Sequence, residues 1–144
     1  GQAGSPRIRG ALVQKMEKGV AEVIVGYRRD AQVGPTVLIG MGGIHAEIYR
    51  DVVVRPAPVS RAEAGRMVDA VRGLLVLAGY RGAPAGDRDA LVDALRRFAL
   101  RACVDAGGGA EIIEAEINPL LGRRAGDGGV ALDAVLVATG RGSS

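Results

Sequence analysis

The chain is 144 residues long, carries a formal net charge of +3 and contains one cysteine. This length suffices for one domain that buries roughly two-thirds of its unfolded surface, so a core can form without disulfides or a structural metal. The single cysteine, Cys103, excludes an internal disulfide framework and a zinc cluster, and it fits a reducing compartment. We therefore expect a cytoplasmic protein with one domain.

Charge and composition argue against two classes of partner. The 19 Lys and Arg residues are scattered among 16 acids without a long run of like charges, and the chain has no Trp and one Phe. A basic stripe and a base-stacking platform are both missing, so we expect no nucleic-acid binding. No apolar run approaches the roughly 18 residues that a membrane span needs, and no signal sequence stands at the N-terminus. We expect no membrane segment.

The first part of the chain predicts β-strands. Residues 1–7 predict a linker, and short extended runs follow at residues 11–16, 20–29, 36–41, 44–49 and 52–57. The turn around Gly34 predicts a hairpin between the second and third runs. In the second run, Glu22 shares parity with Ile24 and Gly26, which places one acid on an otherwise apolar face.

Two helices are predicted next. Ser60 and Glu63 have the spacing of a capping box, and an apolar stripe at helical period predicts a helix over residues 61–75. A second helix, capped by Asp87 or Asp89, continues until a run of three glycines stops it. The order of strands, two helices and a closing hairpin predicts an α+β fold, an antiparallel sheet with helices packed on one side.

The closing hairpin carries an unusual set of polar side chains. Glu114, Glu116 and Asn118 occupy alternate positions of an apolar strand and therefore share one face, with Ile113, Ala115 and Ile117 on the other. The partner strand is apolar apart from Asp133, and a glycine-rich loop joins the two strands.

A symmetric hairpin would pair the loop ends Gly122 and Gly129, and the same register places Asn118 opposite Asp133. Directly opposed residues point to the same face, so an amide oxygen and a carboxylate could hold one cation. Hard oxygen donors suit Mg²⁺. The alternative is that Asn118 caps the strand end and Asp133 bonds a backbone amide, although an isolated Asp in so apolar a run is costly without a partner or a cation.

These residues also carry a resemblance. The sequence EINPL at residues 116–120, followed by Leu-Asp at 132–133, resembles the C-terminal part of the ATP-grasp domain in NDP-forming acyl-CoA synthetases and the succinyl-CoA synthetase β chain. Four earlier motifs follow the order of that family: LVQ at 12–14, AEVIVG at 21–26, Gly-Pro at 34–35 and GGI at 42–44. The resemblance covers residues 8–138, with residues 139–144 as a tail, and it implies the second half of an ATP-grasp domain.

The resemblance implies roles for the acidic positions. Asn118 and Asp133 match magnesium ligands, and Glu116 matches the acid beside the phosphate end of the site. Glu47, which follows the Gly-Gly break, matches a second catalytic acid, with an ion-paired strand residue as the alternative. His45 lies between these motifs, where relatives vary, and is not expected to be phosphorylated.

The resemblance implies a nucleotide site as well. Gln14, Lys15 and Met16 match the hinge that lines the adenine, although Lys15 stands where relatives often have an acid and is expected to point away. Glu22 matches the acid that accepts hydrogen bonds from the ribose hydroxyls. Cys103 is expected to be a small core residue.

The implied function is the ATP or ADP and Mg²⁺ half-site of an acid–CoA ligase that works through a phosphohistidine. Its partners would be the N-terminal ATP-grasp half, expected to precede this segment, and the CoA-binding and ligase domains. Alone, the segment is expected to show little or no catalytic turnover. The sequence does not determine whether it forms a homo-oligomer. Two alternatives remain: a non-catalytic regulatory or docking module, and a generic ATP-grasp carboxylate–amine ligase.

Overall fold

The computed structural model describes residues 10–42, 51–104 and 109–140. Within these ranges one six-stranded sheet carries two α-helices and a 3₁₀ helix on one side. The elements are β1 Ala21–Asp30, β2 Gly34–Met41, β3 Val52–Pro56, α1 Arg61–Ala70, the 3₁₀ helix Arg72–Ala78, α2 Arg88–Cys103, β4 Ile112–Gly122, β5 Gly129–Ala131 and β6 Ala134–Ala138. No helix among the described residues is long and apolar enough to cross a membrane.

All strand pairs are antiparallel. The strand order is β3-β2-β1-β4-β5, and β6 pairs with β4 beside β5. The predicted α+β class is therefore confirmed, as is the predicted hairpin between β1 and β2. In the turn of that hairpin, Asp30 Oδ1 accepts hydrogen bonds from the backbone N–H groups of Gln32 at 2.7 Å and Val33 at 3.0 Å.

The core lies between the sheet and the helices. Alternate residues of β1, including Val23 and Val25, are buried against α2, whose Leu91 and Leu95 are fully buried. The remaining residues of β1 face the opposite side of the sheet, where Glu22 is exposed. No described helix covers that side, and we call it the helix-free face.

The first helix begins where the sequence predicts and ends earlier. Ser60 Oγ accepts from the Glu63 N–H at 3.1 Å, which confirms the cap, while the Glu63 carboxylate pairs with Arg55 and Arg66. The predicted end at residue 75 is wrong, because α1 stops at Ala70 and the chain tightens into the 3₁₀ helix.

The early end of α1 has a cause outside the helix. The Asp51 carboxylate accepts hydrogen bonds from the N–H groups of Arg72 at 2.9 Å and Gly73 at 2.6 Å. These amides can then no longer bond the carbonyls of a continuing α-helix. Gly73 also lies against Met41, since a Cβ there would fall 2.5 Å from the Met41 sulfur. A larger residue at position 73 would therefore require the Met41 side chain to move.

Asp87 fixes the second helix and the hairpin loop together. Its Oδ1 accepts from the Ala90 N–H at 3.0 Å and so caps α2, which settles the choice between the two predicted caps. Its Oδ2 accepts from the N–H groups of Gly126 at 3.1 Å and Gly128 at 2.9 Å. These hydrogen bonds, above all the one from Ala90, hold the pKa of Asp87 below its usual value.

We expect Asp87→Asn to lower the melting temperature by several degrees at pH 7 and by much less near pH 3. A carboxyl whose pKa is depressed in the folded state adds stability above its unfolded pKa of about 3.9, and this stability is lost as the pH falls through the folded value. Thermal unfolding followed by circular dichroism at both pH values checks this. Asp127→Asn, in the same loop, is the control. An equal loss at both pH values would contradict the expectation.

Three strand predictions need correction or lie outside the described ranges. Residues 11–16 form no strand, since no strand of the described ranges pairs with them and their apolar side chains remain exposed, as at Leu12 and Val13. Ile113 does not share the buried face with Ala115. It is the extra residue of a β-bulge between Ile112 and Glu114, so Ile112 is buried instead. The predicted strand at 44–49 lies in a range that is not described.

Candidate functional site

The predicted register of the closing hairpin is confirmed. Gly122 pairs with Gly129, and the Asn118 N–H donates to the Asp133 carbonyl oxygen at 3.0 Å. The same register continues into β6, where Glu116 pairs with Val135. The glycine-rich loop thus sets the alignment for the whole hairpin, and Asn118 stands opposite Asp133.

The regular pairing of β4 with β5 and β6 is interrupted at Asn118 and Asp133. Residues Leu132 and Asp133 separate β5 from β6, and the Leu132 N–H donates to the Pro119 carbonyl at 3.0 Å. Pro119 has no N–H to return a hydrogen bond, so regular pairing is interrupted here. Asn118 is half-buried and Asp133 is exposed. Asn118 and Asp133 therefore stand opposite each other at an open part of the hairpin.

The acids of β4 lie on the helix-free face beside β1. Glu116 pairs with Gly26 across the two strands, and Glu114 pairs with Arg28. A Cβ on Gly26 would lie 3.0 Å from Leu38 Cγ, so the Leu38 side chain already leans over this glycine. The face thus has an acidic strip along β4, formed by Glu114 and Glu116, and Glu116 lies beside Gly26 and Leu38.

Glu22 sits at the start of β1 on the same face. Its carbonyl oxygen accepts a hydrogen bond from the Gly42 N–H at 2.8 Å, which ties the Gly42 break to β1. A Cβ on Gly42 would lie 2.9 Å from the Val23 carbonyl carbon, so only glycine permits this approach. Glu47, the predicted acid beyond the break, lies outside the described residues, as does His45.

The predicted hinge is exposed but tethered. Gln14 is exposed, and the Met16 side chain is 89% exposed. Glu17 Oε2 binds Arg123 Nη2 at 2.7 Å, and Glu17 Oε1 lies 3.4 Å from Lys15 Nζ. The hinge segment is therefore attached to the loop end of the hairpin that carries the acids.

Arg28 and the ion pair of Glu17 with Arg123 were not predicted from the sequence. Arg28 continues the parity of Glu22, so alternation along β1 could have placed it on the helix-free face. The tether between Glu17 and Arg123 had no such signal, because its members are 106 positions apart.

The donor set fits a cation that is shared with a ligand. No group of three or more His, Cys, Asp or Glu side chains that could hold a metal occurs in residues 10–42, 51–104 and 109–140. The pair of Asn118 and Asp133 offers two hard oxygen ligands, and Mg²⁺ is usually bound by one or two such groups together with substrate phosphates and water. These residues therefore fit magnesium that arrives with a nucleotide.

The site is an open surface. A cavity of about 280 Å³ lies beside Lys18, Gly19 and Val20, but none of the predicted site residues lines it. Cys103 is half-buried on the opposite side of the sheet, and burial raises the pKa of its thiol. A raised pKa disfavours the thiolate, which agrees with a packing role for this cysteine.

Comparison with known proteins identifies the family of the chain. A family model described as an ATP-grasp domain matches residues 2–137. Acetate–CoA ligase (ADP-forming) I of Archaeoglobus fulgidus is 42% identical over 120 residues, which are 83% of this chain and 17% of that protein. Subunit beta of acetate–CoA ligase (ADP-forming) II of Pyrococcus furiosus is 35% identical over 92% of this chain and 55% of the subunit. The chain thus spans under a fifth of the first protein and about half of the second.

Solved structures are similar to the same part of these ligases. Acetyl-coenzyme A synthetase 1 of Candidatus Korarchaeum cryptofilum superimposes with a TM-score of 0.76 at 35% identity, covering 86% of this chain and 55% of that one. That structure holds coenzyme A and Mg-AMPPCP, with a phosphohistidine segment pointing towards the nucleotide-binding site. The resemblance drawn from the motifs is confirmed at the level of the family. The chain belongs to the ATP-grasp domain family, and its relatives are ADP-forming acyl-CoA ligases.

Proposed function

We propose that the chain supplies the nucleotide- and magnesium-binding half-site of an NDP-forming acid–CoA ligase. One observation carries this proposal: Asn118 and Asp133 oppose each other at an opening of the hairpin, with Glu116 two residues away on the helix-free face. Relatives of the chain are ADP-forming ligases, which supports this reading of the pair.

Asn118 and Asp133 would hold the magnesium ion through one amide and one carboxylate oxygen. Mg²⁺ bound there with a nucleotide would neutralise charge on the phosphates as a phosphoryl group moves. Because Asn118 is neutral, Asp133 supplies the only full negative charge of the pair. Glu116 adds a second carboxylate near the phosphate end, where it can accept a hydrogen bond from a water molecule or a phosphate-bound proton.

The other end of the nucleotide would lie along β1 and the hinge. Glu22 is exposed on the helix-free face and can accept hydrogen bonds from ribose hydroxyls. Residues 14–16 (Gln14, Lys15, Met16) would line the adenine, with Met16 as the apolar surface and Lys15 turned towards Glu17. The tether from Glu17 to Arg123 keeps this hinge in a fixed relation to the hairpin.

The whole reaction requires more protein than this chain. The proposed overall conversion is acyl-CoA, NDP and phosphate to acid, CoA and NTP through a phosphohistidine carried by another part of the ligase. An open face cannot exclude water from the phosphates by itself, so a second ATP-grasp half must cover it during transfer. CoA binding belongs to further domains. Glu116, and Glu47 beyond the Gly42 break, would be the catalytic acids of this half.

A chimera tests the proposal directly. This chain replaces the matching 120-residue region of the Archaeoglobus fulgidus ligase, and ADP-forming acetate–CoA ligation is assayed. We expect the chimera to be active and Asp133→Ala in the chimera to reduce turnover at least about a hundredfold. Asp127→Ala is the matched control, because it removes the same charge from the neighbouring loop.

The outcomes separate the proposal from its alternative. A folded chimera that keeps its activity with Asp133→Ala would refute the metal role. A folded chimera that binds nucleotide but never turns over would favour the non-catalytic docking module. Loss of activity in Asp127→Ala as well would show a general charge effect and would also count against the proposal.

A further inference from the structure

The outer edge of β6 is an unpaired apolar strand. Among the described residues β6 pairs with β4 alone, so its second edge has no neighbour. The strand contains no charge and no proline, and its three central side chains are 62%, 59% and 46% exposed at Val135, Leu136 and Val137. Strands of this kind are templates for pairing with another chain.

The opposite edge of the sheet is protected. β3 carries Arg55 and Pro56, and charged residues and proline on an edge strand discourage further pairing. Within the described ranges, the β3 edge therefore carries residues that discourage pairing and the β6 edge does not. This contrast indicates that the β6 edge is kept free for an interaction.

Hydrogen bonds at both ends of β6 show which groups face outward. The Asp133 carbonyl accepts from Asn118, and the Thr139 N–H donates to the Glu111 carbonyl at 2.8 Å, so both point to β4. Backbone groups of successive strand residues alternate between the two edges. Ala134, Leu136 and Ala138 must then present their N–H and C=O groups to the outer edge.

We propose that the β6 edge is a dimerisation surface on which a second copy of this chain pairs antiparallel about Leu136. Residues 134–138 read Ala-Val-Leu-Val-Ala, a palindrome. Antiparallel pairing centred on Leu136 places every residue opposite one of its own type, and Leu136 opposite Leu136 of the second copy. The outward groups of residues 134, 136 and 138 would then make roughly six inter-chain hydrogen bonds.

Charge and geometry permit this pairing. The same register puts Asp133 opposite Thr139 of the second copy, so no like charges meet at the ends of the strand. Directly opposed residues share a face, which places the helices of both copies on one side and leaves both helix-free faces open. Dimerisation is therefore independent of the proposed nucleotide site.

The dimer should be weak. Five short residues on each copy bury far less than the about 800 Å² per partner of a standard interface. We expect a dissociation constant on the order of 100 μM, which is reached readily in a concentrated sample.

Sedimentation velocity tests the proposal with the intact chain from about 10 μM to about 1 mM. The wild-type protein should pass from a 14.8 kDa monomer to a dimer. Leu136→Lys should stay monomeric, because pairing would bring two lysines together on the two-fold axis. Val54→Lys, at the similarly exposed edge strand β3, should dimerise like the wild type.

A charge-swap mixture tests the register. Leu136→Lys and Leu136→Glu should each be monomeric, and mixing them should restore a dimer, which also shows that both variants are folded. A wild-type chain that remains monomeric throughout would overturn the proposal. Dimers of Leu136→Lys, loss of dimers in Val54→Lys, or a mixture that stays monomeric would overturn it equally.

Discussion

Replacing Asp133 by alanine is expected to weaken binding of Mn²⁺ with ADP at least about tenfold, since the carboxylate is the only charged member of the proposed ligand pair. Mn²⁺ prefers the same oxygen ligands as Mg²⁺ and broadens nearby NMR signals. In the wild-type protein, the amide signals of Glu116 and Asn118 should broaden as Mn²⁺ and ADP are added. In the variant, the same broadening should need at least tenfold more metal.

The control for this titration is Asp127→Ala. Asp127 lies in the loop of the same hairpin and is exposed, so its removal changes the net charge equally without touching the proposed ligands. We expect its titration to match the wild type. Equal weakening in both variants would mean that Mn²⁺ responds to overall charge, and broadening centred away from residues 116–118 would place the ion elsewhere.

Leu95→Ala should lower the free energy of unfolding by about 2–5 kcal/mol, because it opens a cavity in a closely packed core. Leu95 is fully buried on α2 within the cluster that joins this helix to β1 and β2. Such a loss is a large share of the about 5–15 kcal/mol that stabilises a typical domain. Urea unfolding followed by circular dichroism measures the change.

A matched control lies on the same helix. Leu100 is 46% exposed, so Leu100→Ala removes the same atoms from a much less buried position. We expect its effect to stay within about 0.5 kcal/mol. Comparable losses in the two variants would contradict the assignment of the core to the inner face of α2.

The sequence predicted most where the determining contacts are local. The hairpin register follows from a loop whose ends, Gly122 and Gly129, are close along the chain, so counting outwards reaches Asn118 and Asp133 correctly. The Ser60 cap was equally accessible, because its bond partner Glu63 is three residues away.

The sequence failed where distant residues decide. The sequence near Ala70 does not show that α1 ends there. The end depends on Asp51, some twenty residues earlier, whose carboxylate accepts hydrogen bonds from the backbone N–H groups that α1 would need to continue. The mostly apolar residues 11–16 predict a strand, but no described strand pairs with them. The bulge at Ile113 depends on how β4 meets β6, which the apolar pattern of β4 alone does not encode.

The arrangement of the helix-free face was only partly predictable. Alternation along β4 places Glu114, Glu116 and Asn118 on one face, and alternation along β1 places Glu22 on the same face as Gly26. That these two strands are neighbours depends on an antiparallel pairing across most of the chain. The pairing of β1 with β4 places Glu116 next to Gly26. It therefore puts the acids of β4 on the same face as Glu22, the predicted ribose-binding residue.

A crystal structure of the protein with Mg²⁺ and AMPPCP tests the central claim most directly. We expect one ion at about 2.0–2.1 Å from an oxygen of both Asn118 and Asp133, with phosphate oxygens and water as its remaining ligands. The nucleotide should lie on the helix-free face with its ribose near Glu22. An ion that contacts neither side chain, or a nucleotide on the helix side of the sheet, would contradict the account.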